Sequence, residues 1–95
     1  MESALLSRIK DATRKAMLAR DKARSAALKL VNAEVKQVEL TQKGAVSDTD
    51  VTRVLSRMVK QRQNSAEQYR VGNRPDLVEQ ELYEIGVINE FLPNN

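Results

Sequence analysis

The chain has 95 residues and a formal net charge of +3 at pH 7. It contains no cysteine, which excludes disulfides and thiolate chemistry, and no histidine, the most common general base and metal ligand of proteins. Aromatic residues make up only 3% of the sequence, and there are three glycines and two prolines, so the composition predicts a single all-α domain with an aliphatic core. No apolar run approaches the ~20 residues needed to span a bilayer, and the N-terminus lacks the apolar stretch of a signal peptide, so we expect a cytosolic (cytoplasmic) protein with no membrane association.

The first half of the chain predicts a helical hairpin. A first helix over about residues 3–19 has apolar residues at helical spacing, and a second helix is predicted over about residues 22–40. Between them, Asp21 is placed to cap the second helix by accepting a backbone N–H. The residues expected to face the core are Leu5, Leu6, Ile9, Ala12, Thr13, Ala16 and Met17 in the first helix and Ala27, Leu28, Val31, Val35 and Val38 in the second.

The second half predicts another hairpin. Ser47 and the aspartates that follow it form a helix start signal, which predicts a third helix over about residues 48–71 that ends at Gly72. A proline in the first turn suits a fourth helix over about residues 75–91. Because the breaks within each pair are short, we expect residues 1–95 to form a four-helix antiparallel domain built from two hairpins. The fourth helix is expected to turn Leu77, Val78, Leu82, Ile85, Ile88 and Leu92 toward the core.

One charged residue of the third helix falls on its apolar face. On a helical wheel Arg62 points into the middle of the apolar face, one turn from Met58 and two turns from Tyr69, and a buried guanidinium is costly unless it is paired. Glu81, which projects onto the inner face of the fourth helix, is the predicted partner, and Glu34 is a second candidate. Two interpretations stay open. Either Arg62 and Glu81 form a structural buried pair, or Arg62 lines a cleft and grips a phosphate or a carboxylate.

The charge is unevenly distributed along the chain. Residues 1–72 carry 15 Lys and Arg against 8 Asp and Glu, a net charge of +7, whereas residues 73–95 carry one arginine against five acidic residues, a net charge of −4. Such an asymmetry is typical of a surface that binds polyanions, but an acidic helix packed beside basic helices would show it too.

A basic stripe lies on the side of the third helix opposite its apolar face. Arg53, Arg57 and Lys60 fall within about 60° of one another on the wheel, an arrangement that can neutralise phosphates. With support from Arg14 or Lys15 of the first helix, the stripe is the candidate RNA-phosphate contact. A solvated helix face explains the same pattern.

Catalytic motifs are absent from the sequence. There is no glycine-rich phosphate loop, no cluster of metal ligands and no pairing of a nucleophile with a base. The fourth helix is rich in carboxylates, but Glu79, Glu84 and Glu90 are expected to face solvent. The sequence therefore predicts a protein that is not an enzyme and that needs no cofactor or metal.

Three stretches of the sequence resemble the YqeY family. The central one is VKQRQNSAEQYR at residues 59–70, followed by GNRPDL at residues 72–77. The opening L-x-x-I-K, with A-M and R-D-K downstream of it, and the ending E-I-x-x-I-x-x-F-L-P resemble the two ends of that family's domain. The resemblance covers nearly the whole chain, and its central motif is specific.

This resemblance implies a binding role and not a reaction. The family is related to the tail of the B subunit of the tRNA-dependent amidotransferases, which use glutamine as amido donor, and that tail is a helical appendage that contacts tRNA. We therefore expect an accessory module for tRNA or for a tRNA-handling enzyme. Residues 1–95 are expected to correspond to the N-terminal helical domain of the family, without its second small helical subdomain. The alternative is a protein–protein interaction adaptor with no nucleic-acid role, which an exposed apolar groove would favour.

Overall fold

The computed structural model describes residues 3–93 and confirms the all-α prediction. Its four helices are α1 (Ala4–Leu18), α2 (Lys22–Gln42), α3 (Asp48–Val71) and α4 (Pro75–Asn89), and the described residues contain no strand. None of these helices is long and apolar enough to cross a membrane. Helix α2 continues two residues beyond its predicted end, and α4 stops two residues before its predicted end.

Three of the four helices begin at a side-chain cap. Ser3 Oγ accepts a hydrogen bond from the backbone of Leu6, and Asp21 does the same for the start of α2. At the start of α3, Ser47 Oγ accepts a hydrogen bond from Asp50 N at 3.1 Å, and the Asp50 carboxylate accepts one from Ser47 N at 3.0 Å. This is a capping box in which an aspartate replaces the usual glutamate. These contacts satisfy backbone donors that the first helical turn leaves free.

Left-handed residues end three of the helices and reverse the chain. Arg20, Lys43 and Asn73 have φ values of 59°, 56° and 59°. Helix α3 ends at Val71 with Gly72 after it, as predicted, but Gly72 has φ −79° and the left-handed conformation falls on Asn73, since asparagine tolerates it better than most residues. The short reversals at Arg20 and Asn73 make α1 and α2 one antiparallel hairpin and α3 and α4 another.

The core lies where the two hairpins pack against each other. Helix α3 contributes residues up to Met58 to the core. Helix α4 contributes Val87 and Ile88, and the turn after α4 contributes Phe91. Beyond the core, residues 62–71 of α3 pair with the first part of α4 to form a segment that we call the arm. The core cluster consists of Leu5, Leu6, Ile9, Ala16, Ala27, Leu28, Val31, Val35, Val46, Val51, Val54, Leu55, Met58, Val87, Ile88 and Phe91.

The arm explains why one apolar residue was assigned to the wrong face. Leu82, predicted to face the core, is 56% exposed because the first half of α4 lies alongside α3 alone. Ala66 is buried between the arm's helices, yet it lies outside the core cluster. Met17, also predicted to face inward, is 52% exposed because it sits at the end of α1, past the last core contact at Ala16.

The two ends of α4 predict different sensitivities to truncation of an apolar side chain. Ile88→Ala should lower the free energy of unfolding by about 2–5 kcal/mol, because it opens a cavity in the core. Leu82→Ala, on the same helix, should cost less than ~1 kcal/mol. Chemical denaturation of both variants checks this, and equal costs would contradict the division of α4 into a core end and an arm end.

Gly86 predicts a stabilising substitution. It lies inside α4 with negative φ, and a Cβ built on it would meet nothing within 4 Å. Gly86→Ala should therefore raise the free energy of unfolding by about 0.5–1 kcal/mol, since alanine restricts the unfolded chain and favours the helix. Gly72→Ala is the control, because its Cβ would come within 3.3 Å of the Gln68 carbonyl oxygen and no gain is expected. Thermal unfolding of the two variants measures the difference.

Candidate nucleic-acid interface

The basic stripe forms one exposed face of α3. Arg53, Arg57 and Lys60 span about 10 Å along the helix axis. They surround a shallow depression of about 500 Å³ that is lined entirely by α3. Beside the cations lie three hydroxyl groups, which add hydrogen-bond donors suited to phosphate oxygens. The lining residues are Thr49, Thr52, Arg53, Ser56, Arg57 and Lys60.

The three cations of this face differ in their surroundings. Arg57 Nη2 lies 3.1 Å from Glu34 Oε1 of α2, and both side chains are about half exposed. Arg53 and Lys60 form no ion pair with any residue between 3 and 93. The charge of Arg53 contributes slightly to the lowered pKa of Asp50, whose main cause is the hydrogen bond from the Ser47 backbone. Two of the three cations are thus available to an incoming anion, and the third is shared with a carboxylate.

The predicted support from α1 is not brought to this face. Arg14 and Lys15 both pair with Asp11 on their own helix, and these hydrogen bonds lower the pKa of the Asp11 carboxyl, that from Lys15 most. Arg14 borders a depression between α1 and α2, and Lys15 borders another near the end of α4. Neither residue lines the depression on α3, so the structure separates these two cations from the other three.

Arg62 is paired across the hairpin, but the predicted partner is wrong. Arg62 Nε donates to Glu84 Oε1 at 2.9 Å and Nη1 donates to the Met58 carbonyl at 3.2 Å, and the Arg62 and Glu84 side chains are each only 14% exposed. Side chains on a helix lean toward its N-terminus, which for Arg62 is the direction of Met58. In an antiparallel pair this is the direction of the C-terminal end of α4, so the guanidinium reaches Glu84 and not Glu81.

Glu81 lies beside this pair without joining it. Burial raises the pKa of the Glu81 carboxyl above its ordinary value, the neighbouring charge of Glu84 raises it further, and Arg62 opposes both effects. The arm therefore contains two carboxylates near one guanidinium, with only Glu84 hydrogen-bonded to it. This geometry agrees with the structural interpretation of Arg62, because its charge is already neutralised inside the hairpin.

Of the three glutamates that were expected to face solvent, Glu79 and Glu90 are exposed and Glu84 is not. Glu84 was expected to face solvent and is turned inward by Arg62, whereas Glu79 is exposed as expected. Glu90 accepts two hydrogen bonds from Arg24, at 2.8 and 2.9 Å, and these bonds hold the pKa of Glu90 below its usual range. This pair joins the start of α2 to the end of α4, a contact that no single-helix wheel could have indicated.

The sequence reasoning missed the hydroxyl groups on the α3 face. Thr49, Thr52 and Ser56 occupy the same side of the helix as the cations, at intervals of three and four residues. That spacing is visible in the sequence and would have identified them. It could not have identified Glu34 as the partner of Arg57, because that contact depends on how α2 and α3 pack. Between residues 3 and 93, no group of three or more Asp, Glu, His or Cys is placed to hold a metal ion.

Comparison with known proteins shows similarity to one family. The family described as Yqey-like protein matches residues 6–95. The chain is 34% identical to an uncharacterized protein of Schizosaccharomyces pombe over 79 residues, which cover 83% of the chain and 64% of that protein. It is 33% identical over 89 residues to altered inheritance of mitochondria protein 41 of Clavispora lusitaniae, covering 94% and 52% of the two chains. The Saccharomyces cerevisiae protein of the same name is 28% identical over 91 residues, covering 95% and 49%.

These relatives contradict the predicted location. The prediction of a cytosolic protein is wrong by this comparison, because the relatives that carry a descriptive name are called mitochondrial. The prediction depended on the lack of a secretory signal and of a membrane span, features that do not separate the cytosol from the interior of a mitochondrion. The chain spans between about half and two thirds of the length of the relatives it matches.

The positions of Glu81 and Glu84 beside Arg62 lead to a testable prediction about these two glutamates. Glu84→Gln should lower the free energy of unfolding by about 3 kcal/mol at pH 7, because it removes the charge that compensates the largely buried guanidinium of Arg62. Glu81→Gln should instead stabilise the protein at pH 7. Burial raises the Glu81 pKa, so the folded protein binds this proton more tightly than the unfolded chain does.

The pH dependence separates the two effects. The contribution of Glu81 to the free energy of unfolding of the wild type should increase as the pH falls through the raised pKa of this carboxyl. The stability advantage of Glu81→Gln should therefore shrink as the pH approaches the ordinary glutamate pKa of 4.5. Urea denaturation of both variants at pH 7 and at pH 4.5 measures this. A cost for Glu81→Gln as large as that for Glu84→Gln would show that Arg62 uses Glu81 in solution.

Proposed function

Because the chain belongs to the family described as Yqey-like protein, we propose that it is a small, non-catalytic helical module that binds RNA, tRNA above all, through phosphate contacts at the basic face of α3. The observation that carries this proposal is the exposure of the Arg53 and Lys60 side chains and their availability to an anion. Both are exposed on a face that offers hydroxyl donors beside them, and neither is engaged by a carboxylate between residues 3 and 93.

The contacts on this face suit the backbone of a nucleic acid. A guanidinium at Arg53 and an ammonium at Lys60 would each neutralise a phosphate, and the hydroxyl groups beside them would donate to further phosphate oxygens. Arg57 can add a third contact, because its bond to Glu34 is a half-exposed ion pair of the kind worth less than ~1 kcal/mol. A backbone phosphate carries the same single charge as the Glu34 carboxylate and can accept two hydrogen bonds from the guanidinium, so it can replace Glu34 as the partner of Arg57.

The choice of tRNA comes from the resemblance to the amidotransferase tail described above. An accessory role beside a tRNA-dependent amidotransferase or another tRNA-handling enzyme is therefore part of the proposal. The names of the curated relatives support a mitochondrial setting for it.

Selectivity for one tRNA is not part of the proposal. Base recognition by single-stranded RNA-binding proteins relies on exposed aromatic side chains, on which bases stack. Phe91 is buried in the core and Tyr69 is half-buried, which leaves Tyr83, at 42% exposure, as the one well-exposed aromatic residue between residues 3 and 93. Binding should therefore depend on phosphate contacts and should vary little from one tRNA to another.

A protein-interaction adaptor is the second candidate function. The specific observation that favours it is the exposure of leucine side chains along one face of α2, with Leu30 at 44% and Leu40 at 60%. Exposed apolar residues that lie along one face are a feature of surfaces that dock other proteins. The two functions use different surfaces of the molecule.

The phosphate-binding proposal predicts a particular dependence on salt. With about three phosphate contacts, the logarithm of the association constant for tRNA should fall with the logarithm of salt concentration with a slope of about −2 to −3. The triple variant Arg53→Ala, Arg57→Ala, Lys60→Ala should remove most of this binding, and each single variant should reduce the slope by about 1. Fluorescence anisotropy with labelled tRNA at low and moderate salt measures both.

The control is a triple variant with the same loss of charge on α1, Lys10→Ala, Arg14→Ala, Lys15→Ala. Since these residues lie away from the α3 face, this variant should keep most of the affinity. Absence of tRNA binding at low salt, or equal losses in the two triple variants, would remove the support for an RNA interface on α3.

A further inference from the structure

Helix α2 carries apolar residues on two faces, and only one of them is used by the fold. Leu28, Val31 and Val35 are buried in the core. On the other side of the helix, Leu30 is 44% exposed and Leu40 is 60% exposed. The residues that share this outer face, all exposed, are Ala23, Ala26, Leu30, Ala33, Gln37 and Leu40.

The spacing of the outer face is that of a coiled-coil contact. Its six residues follow one another at intervals of three, four, three, four and three, which is the alternation of the a and d positions of a heptad. Ala23, Leu30 and Gln37 occupy a, whereas Ala26, Ala33 and Leu40 occupy d. The face continues for about 25 Å along α2, which is long enough for a helical partner to bury several turns.

A row of lysines runs along one edge of this outer face. Lys22, Lys29 and Lys36 are spaced seven residues apart, at the g position of the same heptad, and all three are exposed. They form no ion pair within the part of the chain that the structure describes. On the opposite edge, the e position holds a single charge, Glu34, which is already bound to Arg57.

We propose that the outer face of α2 docks an amphipathic helix of another polypeptide, with large aliphatic residues along its apolar stripe and a row of Asp or Glu that meets the three lysines. The alanines at a and d leave room for large side chains of the partner and let the two helices approach closely. Gln37, the one polar residue among the six, would favour a single register. Rows of opposite charge beside an apolar stripe set the choice and orientation of the partner.

The same features argue against two other occupants. In an antiparallel pair of α2 helices from two copies of this chain, the lysine row would face its own symmetry mate and repel it. In a parallel pair the row would face Ala27, Glu34 and Thr41, of which the first is buried and the second is bound to Arg57. A nucleic acid would contact the lysines, but it would leave the exposed leucines without a partner. The acidic helix satisfies both the charges and the apolar stripe.

This inference is independent of the proposed RNA interface, because it uses a different helix and different residues. It is tested on the full chain with two synthetic peptides of about four heptads each. Both peptides have leucine at a and d; the acidic peptide has Glu at e and g, and the basic peptide has Lys there. Fluorescence anisotropy at about 50 mM salt should show that the wild type binds the acidic peptide at least about tenfold more tightly than the basic one.

Variants of the outer face should alter this preference in defined ways. The double variant Lys29→Glu, Lys36→Glu should bind the basic peptide in preference to the acidic one. Leu30→Asp should weaken binding of the acidic peptide by at least about tenfold, because it places a charge in the apolar stripe. Circular dichroism shows that each variant is folded.

Two matched controls carry equivalent changes on the arm, away from α2. Arg70→Glu, Arg74→Glu makes the same change in net charge, and Leu82→Asp alters an exposed leucine of α4. Both controls should keep the wild-type preference for the acidic peptide.

Three results would overturn the proposal. One is failure of the wild type to bind the acidic peptide, and another is equal binding of the two peptides. The third is a dimer in analytical ultracentrifugation that Leu30→Asp disrupts, which would assign the outer face to a second copy of the chain. If the acidic peptide fails to bind while tRNA binds and is released by Lys29→Glu, Lys36→Glu, the face belongs to a nucleic acid. A failure of tRNA binding alone leaves this inference intact.

Discussion

The contact between the first half of α3 and the last turns of α4 is the constraint on which the rest of the structure depends. Leu55 and Met58 of α3 and Ile88 of α4 are almost completely buried, and the α1–α2 hairpin closes the core around them. With so few aromatic residues, the core is built from many medium-sized aliphatic side chains, each of which contributes ~1–3 kcal/mol on burial. A domain of this size has no second core, so this contact decides whether the hairpins stay together.

The Arg62–Glu84 pair marks the place where this core ends and the arm begins. On the core side of the pair lies Met58, which is buried, and on the other side lies Ala66, which is buried only between the two helices of the arm. An ion pair at such a boundary fixes the register of α3 against α4, because slipping either helix by one turn would leave a guanidinium and a carboxylate partly buried and apart. Each fully buried side-chain nitrogen or oxygen among residues 3–93 has a hydrogen-bond partner, so the boundary leaves no such atom unsatisfied.

Burial of the inner faces of α2 and α3 leaves two outward faces with different chemistry. The outward face of α3 is made of cations and hydroxyl groups, whereas that of α2 is made of small and aliphatic residues edged by lysines. The ion pair between Glu34 and Arg57 lies between these two faces and links them.

The sequence by itself determined the number, type and approximate limits of the helices. Caps such as Ser47, the proline that begins α4 and the apolar periodicity are local signals, and a local signal is sufficient where hydrogen bonds join residues four apart. The basic stripe at Arg53, Arg57 and Lys60 was also predictable, because the residues of one helix face follow from the helical period alone.

Tertiary structure alone decided which side chains of different helices meet. A helical wheel placed both Glu81 and Arg62 on inner faces, but the partner of Arg62 depends on the lean of its side chain and on the register of α3 against α4. The exposure of Leu82 depends on where the α1–α2 hairpin stops covering α4. The separation of Arg14 and Lys15 from the basic face has the same origin. Helical period fixes angles within one helix, whereas the distance between two helices is set by how their buried side chains pack together.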